Sequence, residues 1–105
     1  MIKNLNKINP IKKHILLKFL ARVDSCNKIE KVIDKIIVFG SAIRNDCAEE
    51  SDIDICIFSD FTIFNKNYSR AINGPGEENF DVIRYTYASK NLKNTINTYG
   101  VCVYE

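Results

Sequence analysis

Apolar positions near the start of the chain recur every three or four residues, which predicts a helix from about residue 10 to residue 25. Asn9-Pro10 is a typical helix start, because asparagine caps free N–H groups and proline fits the first turn, where no N–H is needed. The apolar positions are Ile8, Ile11, Ile15, Leu16, Phe19, Leu20 and Val23. Lys12, Lys13, Lys18 and Arg22 are assigned to a solvated face. The alternative for that face is a docking site for RNA or an acidic partner.

Three further segments have the pattern of strands. Ile36–Phe39 is a short, β-branched run, typical of a strand buried on both faces. Residues 52–58 alternate strictly, so that one face carries Ile53, Ile55 and Ile57 and the other carries Asp52, Asp54, Cys56 and Phe58. A third strand is predicted over residues 80–85, and a short terminal strand over residues 101–104.

The segment after the first strand is predicted to turn. Gly40-Ser41 reverses the chain, and residues 42–44 form one or two helical turns. Asn45 is predicted to end them in the left-handed conformation. Residues 46–51 are polar and are predicted to form a loop.

Two more helices complete the pattern. Phe61, Phe64, Tyr68 and Ile72 predict an amphipathic helix that is closed by Asn73-Gly74-Pro75-Gly76. Residues 89–99, followed by Gly100, predict a final helix.

Composition narrows the class of protein. The 105 residues suit one domain, and 46% apolar with 27% charged residues is typical of globular proteins. A net charge of +2 does not support nucleic-acid binding. No run approaches the roughly 20 apolar residues of a membrane span, so we expect a cytoplasmic protein with no membrane partner. Cys26, Cys47, Cys56 and Cys102 form no CxxC pair, and we expect buried free thiols.

The aspartates carry the candidate chemistry. Asp52 and Asp54 point the same way about 6.5 to 7 Å apart, which suits carboxylates that share magnesium ions. An isolated pair of this kind is also typical of a solvated edge strand. Asp81 lies in an apolar run, where a lone buried carboxylate needs a partner or a metal. It can complete the set if its strand lies beside that of Asp54. His14, the only histidine, is predicted to be exposed, which leaves Asp81 as the best base.

Gly40 and Ser41 supply a candidate phosphate site. Glycine lets the backbone approach a ligand closely, and the serine hydroxyl can add a hydrogen bond. Arg44, one turn later, can lend positive charge, although an exposed helix arginine is the alternative.

Phe39-Gly40-Ser41, followed after ten residues by Asp52-Ile53-Asp54, resembles the signature of the DNA polymerase β-like nucleotidyltransferase superfamily. In size and layout the chain is most similar to the minimal nucleotidyltransferase group, from about Ile36 to the C-terminus. The resemblance implies an α/β (α+β) fold, a small mixed β-sheet flanked by helices. It implies a single nucleotidyltransferase domain over residues 1–105, with its catalytic core at about 32–105. It also implies two Mg²⁺ ions at Asp52, Asp54 and Asp81, and transfer of a nucleoside monophosphate, with ATP the favoured donor, as pyrophosphate leaves.

The resemblance also implies a partner. Many minimal nucleotidyltransferases are antitoxins of helical proteins with a higher-eukaryote-and-prokaryote nucleotide-binding (HEPN) domain, and some attach AMP to a tyrosine of the toxin. Because the chain lacks segments for a template or an aminoglycoside, we expect its acceptor site to be shared with such a toxin or with a second copy. The alternative is a module that neutralises the toxin by occlusion. Two departures from the family pattern are Asn45, where glycine is common, and the acidic pair Glu49 and Glu50.

Overall fold

A four-stranded mixed sheet with helices on both faces forms the centre of the described fold, which confirms the fold that the resemblance implied. The computed structural model describes residues 1–59, 65–73 and 80–105. The helices are α1 (Pro10–Ile29), α2 (Lys66–Ile72) and α3 (Lys90–Tyr99), and the strands are β1 (Lys35–Phe39), β2 (Ile53–Phe58), β3 (Phe80–Arg84) and β4 (Val101–Tyr104). Short 3₁₀ helices form at Leu5–Lys7, Gly40–Ile43 and Tyr85–Tyr87.

The strands lie in the order β3-β2-β1-β4. β1 is antiparallel to both β2 and β4, whereas β2 and β3 are parallel. Asp54 is opposite Phe39 on one side and opposite Asp81 on the other. Therefore β1 ends where β2 and β3 begin. These strand ends form one edge of the sheet, which runs across the strands and not along an outer strand.

The two faces of β2 differ as its alternation predicted. Ile53, Ile55 and Ile57 are buried in the larger core, together with residues of α1. Cys56 and Phe58 belong to a smaller core on the opposite face, which Ile96 of α3 covers. Since side chains alternate along a strand, Asp54 lies on the α3 face.

Helix α1 begins where Asn9-Pro10 predicted, because the Asn9 side chain accepts a hydrogen bond from the Ile11 N–H. The helix runs to Ile29, four residues past the expected end. One assignment of its faces is wrong. Lys12 is buried, with 1% of its surface exposed, and its Nζ donates to the Glu49 carbonyl at 2.6 Å, whereas Ile11 is 46% exposed. The long aliphatic stem of Lys12 packs in the core while its ammonium group reaches the loop before β2.

The turn after β1 also differs from expectation at Asn45. Residues 42–44 were expected to be helical, and Gly40–Ile43 forms a 3₁₀ helix, closed by the Arg44 N–H bonding to the Ser41 carbonyl at 2.9 Å. Arg44 then leaves the turn extended, so no left-handed residue is needed at Asn45. Among the described non-glycine residues, only Asn4 has a positive φ.

The remaining elements follow the pattern. Asn65 caps the start of α2, where its side chain accepts hydrogen bonds from two N–H groups. Ser89 caps the start of α3, where its Oγ accepts from the Leu92 N–H. Phe61, Phe64 and residues 74–76 of the expected second helix and its breaker lie outside the described residues. None of the described helices has both the length and the apolar character to span a membrane. All four cysteines are free, and all except the half-buried Cys102 are buried.

Candidate active site

Gly40 fixes the turn at the end of β1. Its φ of 74° lies in the left-handed region that side chains disfavour. A Cβ added there would overlap Oδ2 of Asp54 and lie 3.2 Å from its Cγ. The Asp54 carboxyl group therefore packs directly against the glycine backbone, and both the turn and this contact require glycine.

The start of α1 holds the same turn from outside. The Asn9 N–H donates to the Ala42 carbonyl at 2.8 Å, and Asn9 Nδ2 donates to the Arg44 carbonyl at 2.7 Å. The capping residue of α1 is thus hydrogen-bonded to the segment that follows Gly40.

The three predicted carboxylates gather at the edge of the sheet. Asp81 lies directly opposite Asp54 in parallel register, on a neighbouring strand about 4.8 Å away. The condition that the sequence left open, that the two strands are neighbours, is therefore met. Asp52 is exposed and immediately precedes β2. One expectation is wrong: Asp81 is exposed, so its charge needs no buried partner.

The environment of Asp54 disfavours its ionised form. Burial of its carboxyl group raises its pKa, and repulsion from the Asp81 and Asp52 carboxylates raises it further. The Arg44 guanidinium lowers the Asp54 pKa, but by less. The three carboxyl groups repel one another when ionised, and Arg44 offsets only part of this repulsion. A cation bound among them would therefore be favoured.

A cleft of about 680 Å³ opens beside Asp54, a volume typical of small-molecule sites. One side consists of Asp54 and the turn, including all three predicted nucleotide-binding residues, Gly40, Ser41 and Arg44. Leu92, Thr95 and Tyr99 of α3 also line the cleft. Arg44 is exposed, and its Nε is 3.1 Å from Asp46 Oδ1, so its charge is paired at the rim.

The family model described as "Polymerase beta, Nucleotidyltransferase" matches residues 23–105. The chain belongs to this nucleotidyltransferase family. Among solved structures it is similar to a protein of Sulfolobus solfataricus that is described as a candidate nucleotidyltransferase, at 16% identity and a TM-score of 0.49. The match covers 90% of this chain and 86% of the other. No curated protein matches the chain.

The donor groups of this nucleotidyltransferase domain suit magnesium, although they do not form a closed cage. Within residues 1–59, 65–73 and 80–105, no group of three or more His, Cys, Asp or Glu side chains is arranged to hold a metal ion. Magnesium is commonly held by one or two carboxylates together with substrate phosphates. The facing pair Asp54 and Asp81, with Asp52 beside them, fits that use.

Sequence reasoning missed the α3 side of the site. Leu92, Thr95 and Tyr99 are spaced by three and four residues, so a helix places them on one side, and this spacing was the available signal. What it could not show is that α3 crosses the sheet face beside Gly40.

Proposed function

We propose that this domain is a magnesium-dependent nucleotidyltransferase that moves a nucleoside monophosphate, AMP in the favoured case, from its triphosphate to an acceptor hydroxyl. The observation that carries the proposal is the position of Asp54. Its carboxyl group packs against the side-chain-free Gly40 turn and faces Asp81 across the β2–β3 register. The candidate phosphate site at Gly40 and the Asp54 carboxyl group thereby line one cleft, and the Asp81 carboxyl group lies beside it on the neighbouring strand.

Different residues of the chain bind the triphosphate and the magnesium. The triphosphate approaches the backbone at Gly40, and the Ser41 hydroxyl hydrogen-bonds it. Arg44, once released from Asp46, adds positive charge to the phosphates. Asp52 and Asp54 would hold magnesium, which, when bound, neutralises these carboxylates and the phosphates.

Asp81 is the proposed base. The acceptor oxygen forms a bond to the α-phosphorus, the bond from that phosphorus to the bridging oxygen breaks, and pyrophosphate leaves. The hydroxyl proton passes to the Asp81 carboxylate. Asp81 is exposed and does not line the cleft, so an acceptor can reach it from outside while the nucleotide fills the cleft.

This open approach supports an acceptor on another protein. We propose that the acceptor hydroxyl belongs to a HEPN-type toxin and that this chain is its antitoxin. The proposal rests on the resemblance to minimal nucleotidyltransferases and on the exposure of Asp81. A second copy of the chain is the alternative acceptor.

The test is label transfer from ATP carrying ³²P at the α-phosphate, with magnesium and the protein encoded beside this one. We expect labelled partner and released pyrophosphate with the wild type, and neither with Asp54→Asn. Asp34→Asn is the matched control, because it removes the same charge just before the opposite end of β1, where the Asp34 carboxylate forms a surface ion pair with Lys31. It should transfer label normally.

Two results would contradict the proposal. One is transfer by Asp54→Asn at the wild-type rate. The other is a wild type that never labels its partner, together with Asp52→Asn and Asp54→Asn variants that still neutralise the partner fully. That second result would assign the chain to neutralisation by occlusion.

A further inference from the structure

We infer that α3 forms the nucleoside half of the cleft and that the ring of Tyr99 stacks on the base of the bound nucleotide. The inference rests on the proposed function, because it takes the phosphates to lie at Gly40. It adds a binding residue and a rule for which bases are accepted.

The sheet register places Tyr99 near the Gly40 turn. Val101 of β4 is opposite Val38 of β1, and these strands are antiparallel. Tyr99 lies two residues before Val101, and Gly40 lies two residues after Val38, so both lie at the same edge of the sheet. Ile96, 1% exposed, anchors α3 on the sheet and leaves Tyr99 at the cleft.

Tyr99 differs from the other four tyrosines in having a free ring. Tyr85 stacks on Phe58, Arg84 lies over both Tyr68 and Tyr87, and the Tyr104 hydroxyl donates to Asp24. Tyr99 is 70% exposed, and within the described part of the chain its ring and hydroxyl contact no polar or aromatic partner. An exposed ring that lines the same cleft as the candidate phosphate site suits the flat face of a base.

The chemistry of this side predicts weak selection among bases. Stacking tolerates any base, because every base has a π-face. Thr95 adds one hydroxyl, which already donates to the Asn91 carbonyl at 3.2 Å, and Leu92 adds only apolar surface. Purine and pyrimidine triphosphates should therefore bind with similar affinities. The preference for ATP in the proposed function rests on the family resemblance and not on this side of the cleft.

The experiment is calorimetric titration of the full chain in magnesium buffer with ATP, GTP, CTP and UTP, and with inorganic triphosphate as a probe that lacks a base. Tyr99→Ala should weaken binding of all four nucleotides roughly 5- to 150-fold, the range that corresponds to loss of one stacking contact. Tyr99→Phe should bind like the wild type. Affinity for inorganic triphosphate should not change, which also reports that the variant is folded.

Tyr87→Ala is the matched control, since Tyr87 is 68% exposed but does not line the cleft, and it should bind all probes normally. Unchanged nucleotide affinity in Tyr99→Ala would overturn the inference, and so would weakening confined to one base. If the wild type binds inorganic triphosphate as tightly as nucleotides, the inference fails while the phosphate site stands. If it binds no probe, the proposed function fails as well.

Discussion

Replacing Gly40 with alanine tests how closely the turn and Asp54 depend on each other. Two effects act on the variant. The backbone at position 40 has a φ of 74°, and holding a residue with a Cβ in this conformation costs about 1 to 2 kcal/mol of stability. The new Cβ also overlaps Oδ2 of Asp54, so the carboxyl group must leave its place.

The two effects differ in size and consequence. Forcing a side chain off its preferred rotamer costs on the order of 0.5 to 1.5 kcal/mol. Gly40→Ala should thus lower the free energy of unfolding by about 1.5 to 3.5 kcal/mol in total. Since a 1 Å error in a catalytic group can cost about 100-fold in rate, transfer should fall by about that factor even in fully folded protein.

A double-mutant cycle separates the two effects. Urea denaturation gives the free energy of unfolding for the wild type, Gly40→Ala, Asp54→Ala and the double variant. Asp54→Ala removes the clashing carboxyl group but keeps its own Cβ, which would lie 3.5 Å from the new Cβ at position 40, an ordinary van der Waals contact. In that background the effect of Gly40→Ala should shrink to the backbone part, about 1 to 2 kcal/mol.

Two outcomes would refute this reasoning. An equal penalty in both backgrounds would mean that Asp54 is not the obstacle to a side chain. A stability change near zero in both would mean that the turn does not hold Gly40 in the left-handed region.

Three further predictions concern stability and reactivity. In metal-free buffer Asp54→Asn should be more stable than the wild type at pH 7, and this difference should vanish in acid. Because the pKa of Asp54 is raised in the folded protein, the stability of the wild type falls as the pH rises through that pKa, whereas asparagine does not ionise. Urea denaturation at both pH values checks this. Asn67→Ala should lower the free energy of unfolding by about 1 to 3 kcal/mol, because it removes the donor to two backbone carbonyls at the end of α1. The control Asn73→Ala, at an exposed position, should change the free energy of unfolding little. Burial raises the Cys56 pKa to about 11, whereas Cys102 is only half-buried. Iodoacetamide at pH 8 should therefore label Cys102 before Cys56, as followed by peptide mass spectrometry, and the reverse order would contradict this.

Local rules were sufficient where a residue's role depends on its own element. Strict alternation in β2 placed Asp54 on the face opposite Ile53 and Ile55, and the cap-and-proline pair at Asn9 marked the start of α1. Both features follow from a period of two residues or from one turn of helix.

Features that depend on other elements could not be predicted in this way. Asp81 is exposed on β3, the outermost strand of the sheet formed by the described residues, and no period reveals that position. Burial of Lys12 depends on the Glu49 carbonyl lying within reach of its ammonium group. The side of the cleft formed by α3 depends on where the helix crosses the sheet. Each of these is a property of tertiary contact.

The hydrogen bonds from Asn9 to the turn after Gly40 connect the start of α1 directly to the candidate site. Any ligand that orders the turn also restrains the capping residue on which the first turn of α1 depends. Amide hydrogens there would then exchange with solvent more slowly in the bound protein, although α1 contributes no group to the cleft. Binding at the site would then be detectable at the start of α1, which lies on the opposite face of the sheet from α3.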